Sequence, residues 1–114
     1  MPERKITADE LADFLGVLAH GDRVRIIEEL RVRGSLEVKQ LRLDLDIPPA
    51  RLSQHLALLR HHRILRECRE GRRVIYSLRE GEIADWLLEG LTHLRHSENP
   101  EAVARAKEHW TVSE

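Results

Sequence analysis

Residues 48–79 hold the side chains of this chain that are best suited to bind a polyanion. The segment contains eight arginines and two glutamates, a net charge of +6, whereas residues 1–47 sum to −2 and residues 80–114 to −5. Because phosphates are neutralised by local positive charge, the near-neutral total of −1 does not exclude nucleic acid as a partner. A solvated arginine-rich surface is the alternative. It is disfavoured because the excess charge coincides with a predicted helix and hairpin.

Two side chains in this segment have the chemistry to read base edges. An arginine can bond bidentately to guanine and a glutamine to adenine, and each such pair discriminates by about 1–3 kcal/mol. Arg51 and Gln54 lie three residues apart in a helical pattern, so one helix face presents both to a major groove. Arg60 and Arg63 are interpreted as phosphate contacts.

The elements that must position these side chains follow from apolar spacing and turn residues. In the order of the chain, the pattern predicts helices over residues 8–18, 23–33, 36–45 and 49–62, strands over 64–69 and 73–78, and helices over 80–96 and 101–110. Thr7 with Glu10, Asp22 and Ser35 are predicted to cap the first three helices. Gly71 is predicted to supply the positive φ of the hairpin turn.

This order predicts a mainly α fold with a β-hairpin wing, namely a winged helix-turn-helix. At 114 residues the chain is one domain. We expect a flexible N-terminus over 1–7, a DNA-binding and dimerisation domain over 8–96, and a C-terminal extension over 97–114 that forms a short helix.

Composition excludes several other classes of protein. Cys68 is the single cysteine, so neither an internal disulfide nor a cysteine zinc cage can form. No apolar run approaches the roughly 20 residues that span a bilayer, and no signal peptide is evident, so we expect a cytoplasmic protein with no membrane partner. There is no nucleophile motif, no phosphate-cradling glycine loop and no catalytic carboxylate pair, so we predict that the chain is not an enzyme.

Three motifs taken together resemble those of the ArsR/SmtB group of bacterial repressors. They read LGVLAHGDRVRIIEELRVRG, LRLDLDIPPARLSQHLALLRHHRIL and REGRRVIYSL. The resemblance implies a winged-helix homodimer, joined through its first and last helices, that represses its own operon and releases double-stranded DNA when an inducer binds. The surplus apolar residues of those two helices agree with such a dimer; they are Leu11, Leu15, Leu18, Leu87, Leu91 and Leu94.

The resemblance also extends the set of candidate DNA contacts. Ser53 and His55 match the family's S-x-H positions; for His55, a helix-packing role is the alternative. The sequence departs from the family at Pro48-Pro49, which replaces a small polar residue, and at Arg63, which replaces a glycine. The full set predicted to contact DNA is Pro49, Ala50, Arg51, Ser53, Gln54, His55, Arg60, Arg63, Arg69, Arg72 and Arg73.

The family also implies two places for an inducer metal. Its thiolate site needs cysteines, and the matching segment 35–41 has none. Its last-helix site pairs two residues of one subunit with two of the other, and this sequence keeps the spacing with Glu80, Glu82, His93 and His96, although the two glutamates replace the family's Asp and His. Carboxylates and imidazoles suit Zn²⁺, Ni²⁺ or Co²⁺. The alternative is that these are surface residues placed by the helix dipole.

The sequence leaves two other functions open. The acidic last third would suit a winged-helix interaction module that acts with a partner regulator protein. A constitutive DNA-binding module without an inducer is the second alternative. Salt-sensitive binding to specific duplex DNA would separate a regulator from an interaction module.

Overall fold

The computed structural model describes residues 2–91 and 100–111. In chain order the elements are α1 (Pro2–Leu18), α2 (Gly21–Arg33), β1 (Ser35–Glu37), α3 (Val38–Leu45), α4 (Pro49–His61), β2 (Leu65–Glu70), β3 (Arg73–Leu78), α5 (Glu82–Gly90) and α6 (Pro100–Thr111). This is a winged helix-turn-helix, as the sequence predicts. Within the described ranges, no helix is both long and apolar enough to cross a bilayer.

The core lies between the helices and one face of the sheet. α2 supplies Ile26, Ile27 and Leu30, which are at most 1% exposed. The inward leucines predicted for α4 are all buried; they are Leu52, Leu56 and Leu59. Burying each such side chain contributes about 1.5–3 kcal/mol, so this packing fixes the orientation of α4 and leaves its opposite face in solvent.

The hairpin forms as predicted, with a third strand added. β2 and β3 pair antiparallel from Leu65–Leu78 to Glu70–Arg73, and Gly71 in the turn has φ of 64°. β1 pairs antiparallel with the other edge of β3, which gives the strand order β1-β3-β2. The wing is therefore anchored to the segment that precedes α3.

The predicted start of the third helix is wrong because of this extra strand. Ser35 does not cap a helix but lies in β1, opposite Ser77. Leu36 points into the core at 3% exposure, as the middle residue of a short strand does. α3 begins instead at Val38, and Glu37 and Gln40 form a reciprocal capping box at its start.

Three other helix boundaries differ from the prediction. α1 begins at Pro2, so Thr7 lies inside the helix and does not cap it. The cap of α2 is His20, whose Nδ1 accepts a hydrogen bond from the backbone N–H of Asp22, so the predicted Asp22 cap is wrong. α5 begins at Glu82 rather than Glu80. The rest of the predicted 80–96 helix, with Leu94, lies beyond the described residues; the predicted short C-terminal helix is present as α6.

Candidate nucleic-acid interface

The solvent face of α4 presents the predicted base-reading residues together. Arg51 and Gln54 are exposed and three residues apart, and Ser53 is exposed beside them. Pro49 and Ala50, in the first turn, are exposed as well. Proline at the first helical position costs the helix no hydrogen bond, because that N–H would have no partner within the helix. The arrangement allows an arginine and a glutamine to enter one groove side by side.

The predicted outward orientation of His55 is wrong. The residue is buried at 5% exposure, and its Nδ1 accepts a hydrogen bond of 3.2 Å from Nε of Arg23. Arg23 also donates from Nη1 to the carbonyl of Val17 at 2.8 Å. Burial, followed by the positive neighbours His20 and Arg23, lowers the pKa of His55 below 6.5. His55 therefore has the packing role that the sequence left open, joining α4 to α2.

The arginines of the wing divide into paired and unpaired groups. Nε of Arg73 donates to Oε1 of Glu37 at 2.6 Å, and this carboxylate raises the pKa of Arg73 further. Arg72, beside it, makes no hydrogen bond or ion pair within residues 2–91 and 100–111. Arg72 thus has its full charge available for a phosphate, whereas Arg73 shares its charge with β1.

Glu67 pairs with two further arginines, Arg60 in the last turn of α4 and Arg69 in β2. Its Oε1 lies 3.7 Å from Nη1 of Arg60 and 3.7 Å from Nε of Arg69. Its Oε2 accepts a hydrogen bond of 2.7 Å from the hydroxyl of Tyr76. Both arginines remain exposed, so they stay accessible to a phosphate while sharing this carboxylate.

Arg63 occupies a backbone conformation that favours glycine. Its φ is 60°, in the left-handed region that costs a side chain bearing Cβ roughly 1–2 kcal/mol. This is the turn between α4 and the wing, and the side chain is exposed. The position therefore carries a cation at the cost of local backbone strain.

The candidate last-helix metal residues are only partly located. Glu80 and Glu82 are exposed on either side of Gly81, at the start of α5. They lie at an open cavity of about 750 Å³ whose apolar lining includes Leu11 and Trp86. His93 and His96 lie outside the described residues. Two carboxylates and two imidazoles fit Zn²⁺, Ni²⁺ or Co²⁺ by donor chemistry.

Sequence reasoning missed the polar residues behind α4. The cluster of His20, Asp22, Arg23 and His55 joins the start of α2 to the middle of α4, across 32 residues of chain. The one sequence signal was the position of His55 three residues after Leu52 and one before Leu56, which places it next to the buried stripe.

Comparison with known proteins places this geometry in context. No protein-family model matches the chain. The HTH-type transcriptional regulator Rv0081 of Mycobacterium tuberculosis is 36% identical over 76 residues, which is 67% of each chain. The transcriptional repressor SmtB homolog of Synechocystis sp. is 31% identical over 91 residues, covering 80% of this chain and 68% of the relative. The transcriptional repressor PagR of Bacillus anthracis is 30% identical over 78 residues, covering 68% and 78%.

The fold comparison agrees with the sequence comparison. The crystal structure of Mycobacterium tuberculosis Rv0081 superposes with a TM-score of 0.71 and 30% identity, covering 90% of this chain and 98% of that one. The shared region therefore includes most of the helices and the wing.

Proposed function

The chain belongs to the ArsR/SmtB family of winged helix-turn-helix transcriptional regulators, and we propose that it is a homodimeric repressor that reads duplex DNA with α4 and responds to a divalent metal. Its relatives are transcriptional regulators, which confirms the predictions of DNA-binding regulation and of a chain that is not an enzyme. The observation that carries the proposal is the exposed pair of Arg51 and Gln54 on the face of α4 opposite the buried leucines.

Duplex binding by this face follows from its shape and charge. α4 is held by its leucines, so the base-reading pair projects from a rigid element. Arg63 and Arg72 lie in the two turns that flank β2 and add positive charge there that no described side chain neutralises. Phosphate contacts of this kind supply affinity and orientation, while contacts to base edges supply specificity.

The dimer proposal is supported by exposed apolar side chains on α1 and α5. In the single chain, Leu11 is 50% exposed, Leu15 is 43% and Trp86 is 45%. Both leucines line cavities that also include Trp86, so the three lie on one surface. Contiguous exposed apolar area of this type is typical of an interface, and a second copy is the occupant that the family implies.

The regulatory part of the proposal is a metal bridge across that dimer. Glu80 and Glu82 of one chain would share the ion with His93 and His96 of the other. It rests on the retained family spacing and on the donor chemistry of these residues. A divalent metal would cross-link the two chains here and change the separation of their α4 helices. The two glutamates and two histidines would serve only as its ligands.

The α4 assignment is tested by base discrimination rather than by affinity alone. Arg51→Ala and Gln54→Ala should each reduce the preference for the chain's own promoter over scrambled duplex by about 1–3 kcal/mol, measured by fluorescence anisotropy at fixed salt. Arg105→Ala on α6 is the charge control and should keep the wild-type preference. An unchanged preference in both α4 variants would remove α4 as the reading helix.

A further inference from the structure

A second group of metal-ligating side chains lies where the first turn of α2 meets α4. His20, Asp22 and His55 each offer one ligand atom, and the three atoms lie within 4.8 Å of one another. Nε2 of His55 is 3.7 Å from Oδ2 of Asp22, and the two imidazole centroids are 4.5 Å apart. Ligand atoms around a tetrahedral ion with bonds near 2.1 Å are separated by roughly 3.4 Å, so these atoms, which lie within 4.8 Å of one another, would have to move closer to complete the geometry.

A second, independent observation concerns the Nε2 atom of His55, which faces this group. Its Nε2 is buried and makes no hydrogen bond, the only such side-chain nitrogen or oxygen in the part of the chain that the structure describes. The side chain is buried, with 7% of its surface exposed. Asp22 Oδ2, at 3.7 Å, is too distant to accept a hydrogen bond from it. Buried polar atoms are normally satisfied, so an unpartnered nitrogen facing a carboxylate and a second imidazole calls for a ligand.

We propose that His20, Asp22 and His55 form a binding site for a divalent transition-metal ion, of the Zn²⁺, Co²⁺ or Ni²⁺ class, which links α2 to the recognition helix α4. Two imidazoles and one carboxylate are a ligand set of this class, with the fourth position open to water. His20 is exposed and lies over His55, so it forms the side from which an ion enters.

Binding at this site requires a change in the hydrogen bonds of both rings. A neutral imidazole carries one proton, and His20 and His55 both accept hydrogen bonds at Nδ1, so their protons are on Nε2. An ion at Nε2 of His55 replaces that proton, and the ring proton then resides on Nδ1. Nδ1 can no longer accept from Arg23, which keeps its bond to Val17. The ion and the Arg23–His55 bond are therefore mutually exclusive.

Because His55 is part of α4, this exchange acts directly on the helix that presents the DNA-reading residues. His55 lies on α4 between the exposed Gln54 and the buried Leu56. The metal would replace a flexible guanidinium contact with a cross-link between α2 and α4. The site uses residues within one chain and does not depend on the dimer-bridging ligands of α5, so the two proposals can fail separately.

Cobalt absorption tests the site in the full-length chain. The His93→Ala/His96→Ala variant serves as background, because it lacks the imidazoles of the α5 site. After metal removal with EDTA, titration with Co²⁺ at neutral pH should give visible d–d bands that saturate at one ion per chain. In this background His20→Asn, which keeps a helix-capping side chain, and Asp22→Asn should each weaken Co²⁺ binding by more than about tenfold.

Two further variants separate ligation from altered folding. His61→Asn removes an exposed imidazole at the end of α4 and should bind Co²⁺ like the background, with all circular-dichroism spectra unchanged. Arg23→Met removes the competing donor and a nearby positive charge, and should tighten binding by about threefold or more. The proposal is overturned if the background binds no Co²⁺, if His20→Asn binds it with unchanged affinity, or if Arg23→Met binds it no more tightly.

Discussion

Tyr76 is a core residue whose hydroxyl is bonded to a carboxylate, and this sets its acidity. The residue is 7% exposed, and burial, followed by the hydrogen bond to Glu67, raises its pKa from 10.0 to about 12. The folded state thus binds the phenol proton more tightly than the unfolded state does. Its contribution to stability is fully present below pH 10 and is lost as the pH rises through about 12.

We therefore expect the free energy of unfolding to fall by about 2 kcal/mol through this group between those pH values. Urea denaturation across the range measures the loss, and phenolate absorbance reports Tyr76 directly, because the chain contains one tyrosine. Tyr76→Phe should lack this part of the pH dependence. A phenolate midpoint near 10 in the folded protein would contradict the assignment.

Residue types alone could not reveal which polar side chains meet in the folded chain. Arg51 and Gln54 were placed correctly because helical spacing fixes their face. The orientation of His55 was predicted wrongly, because a histidine at the edge of an apolar stripe can face either the core or the solvent. What decided its position was Arg23, a donor 32 residues away on another helix. Such a partner is set by tertiary packing, which periodicity does not encode.

We expect two neighbouring arginines of the wing to have different roles. Arg72 should bind DNA, and Arg73 should stabilise the sheet. Arg72 has no ion pair among the described residues, so Arg72→Ala should flatten the slope of log affinity against log salt by about 0.9. Arg73 is tied to Glu37, so Arg73→Ala should change the slope by less and should loosen the β1–β3 edge. Anisotropy over a salt series measures both slopes. Equal flattening in the two variants would mean that DNA displaces Glu37.

Long apolar patterns predicted the elements well, and short ones did not. The helix bearing Leu52, Leu56 and Leu59 was predicted to within a residue, since its stripe repeats over three turns. β1 was missed because three residues carry no usable periodicity and its pairing partner, β3, is about 40 residues away. The start of α1 was missed because a polar first turn resembles a frayed terminus.

The whole molecule should be a dimer that depends on the apolar surface of α1 and α5. Leu11→Glu and Leu15→Glu would place charges in that surface and should give monomers in multi-angle light scattering at about tens of micromolar, with weaker binding to a two-half-site operator. Leu43→Glu is a matched control, because Leu43 is 72% exposed on α3, outside this surface. A wild-type monomer at that concentration would exclude the interface.

Metal control at the α5 site should appear as a coupling between two binding equilibria. An ion shared by Glu80 and Glu82 of one chain and His93 and His96 of its partner would favour one separation of the α4 helices. Operator affinity should therefore change by about 1–3 kcal/mol when the site is filled. Because ligation needs neutral imidazole, metal affinity should fall below about pH 6.

Calorimetry with Zn²⁺, Ni²⁺ and Co²⁺ distinguishes this site from the one behind α4. The wild type should bind two ions per chain, and His93→Ala/His96→Ala should keep one and lose the part of the metal effect on operator binding that the α5 site exerts. Glu89→Gln, which removes an exposed carboxylate from the same helix, should retain both ions and the effect. Equal stoichiometry and affinity in the wild type and the double variant would show that the histidines are surface residues. The metal response would then have to arise behind α4, where His55 touches the reading helix itself.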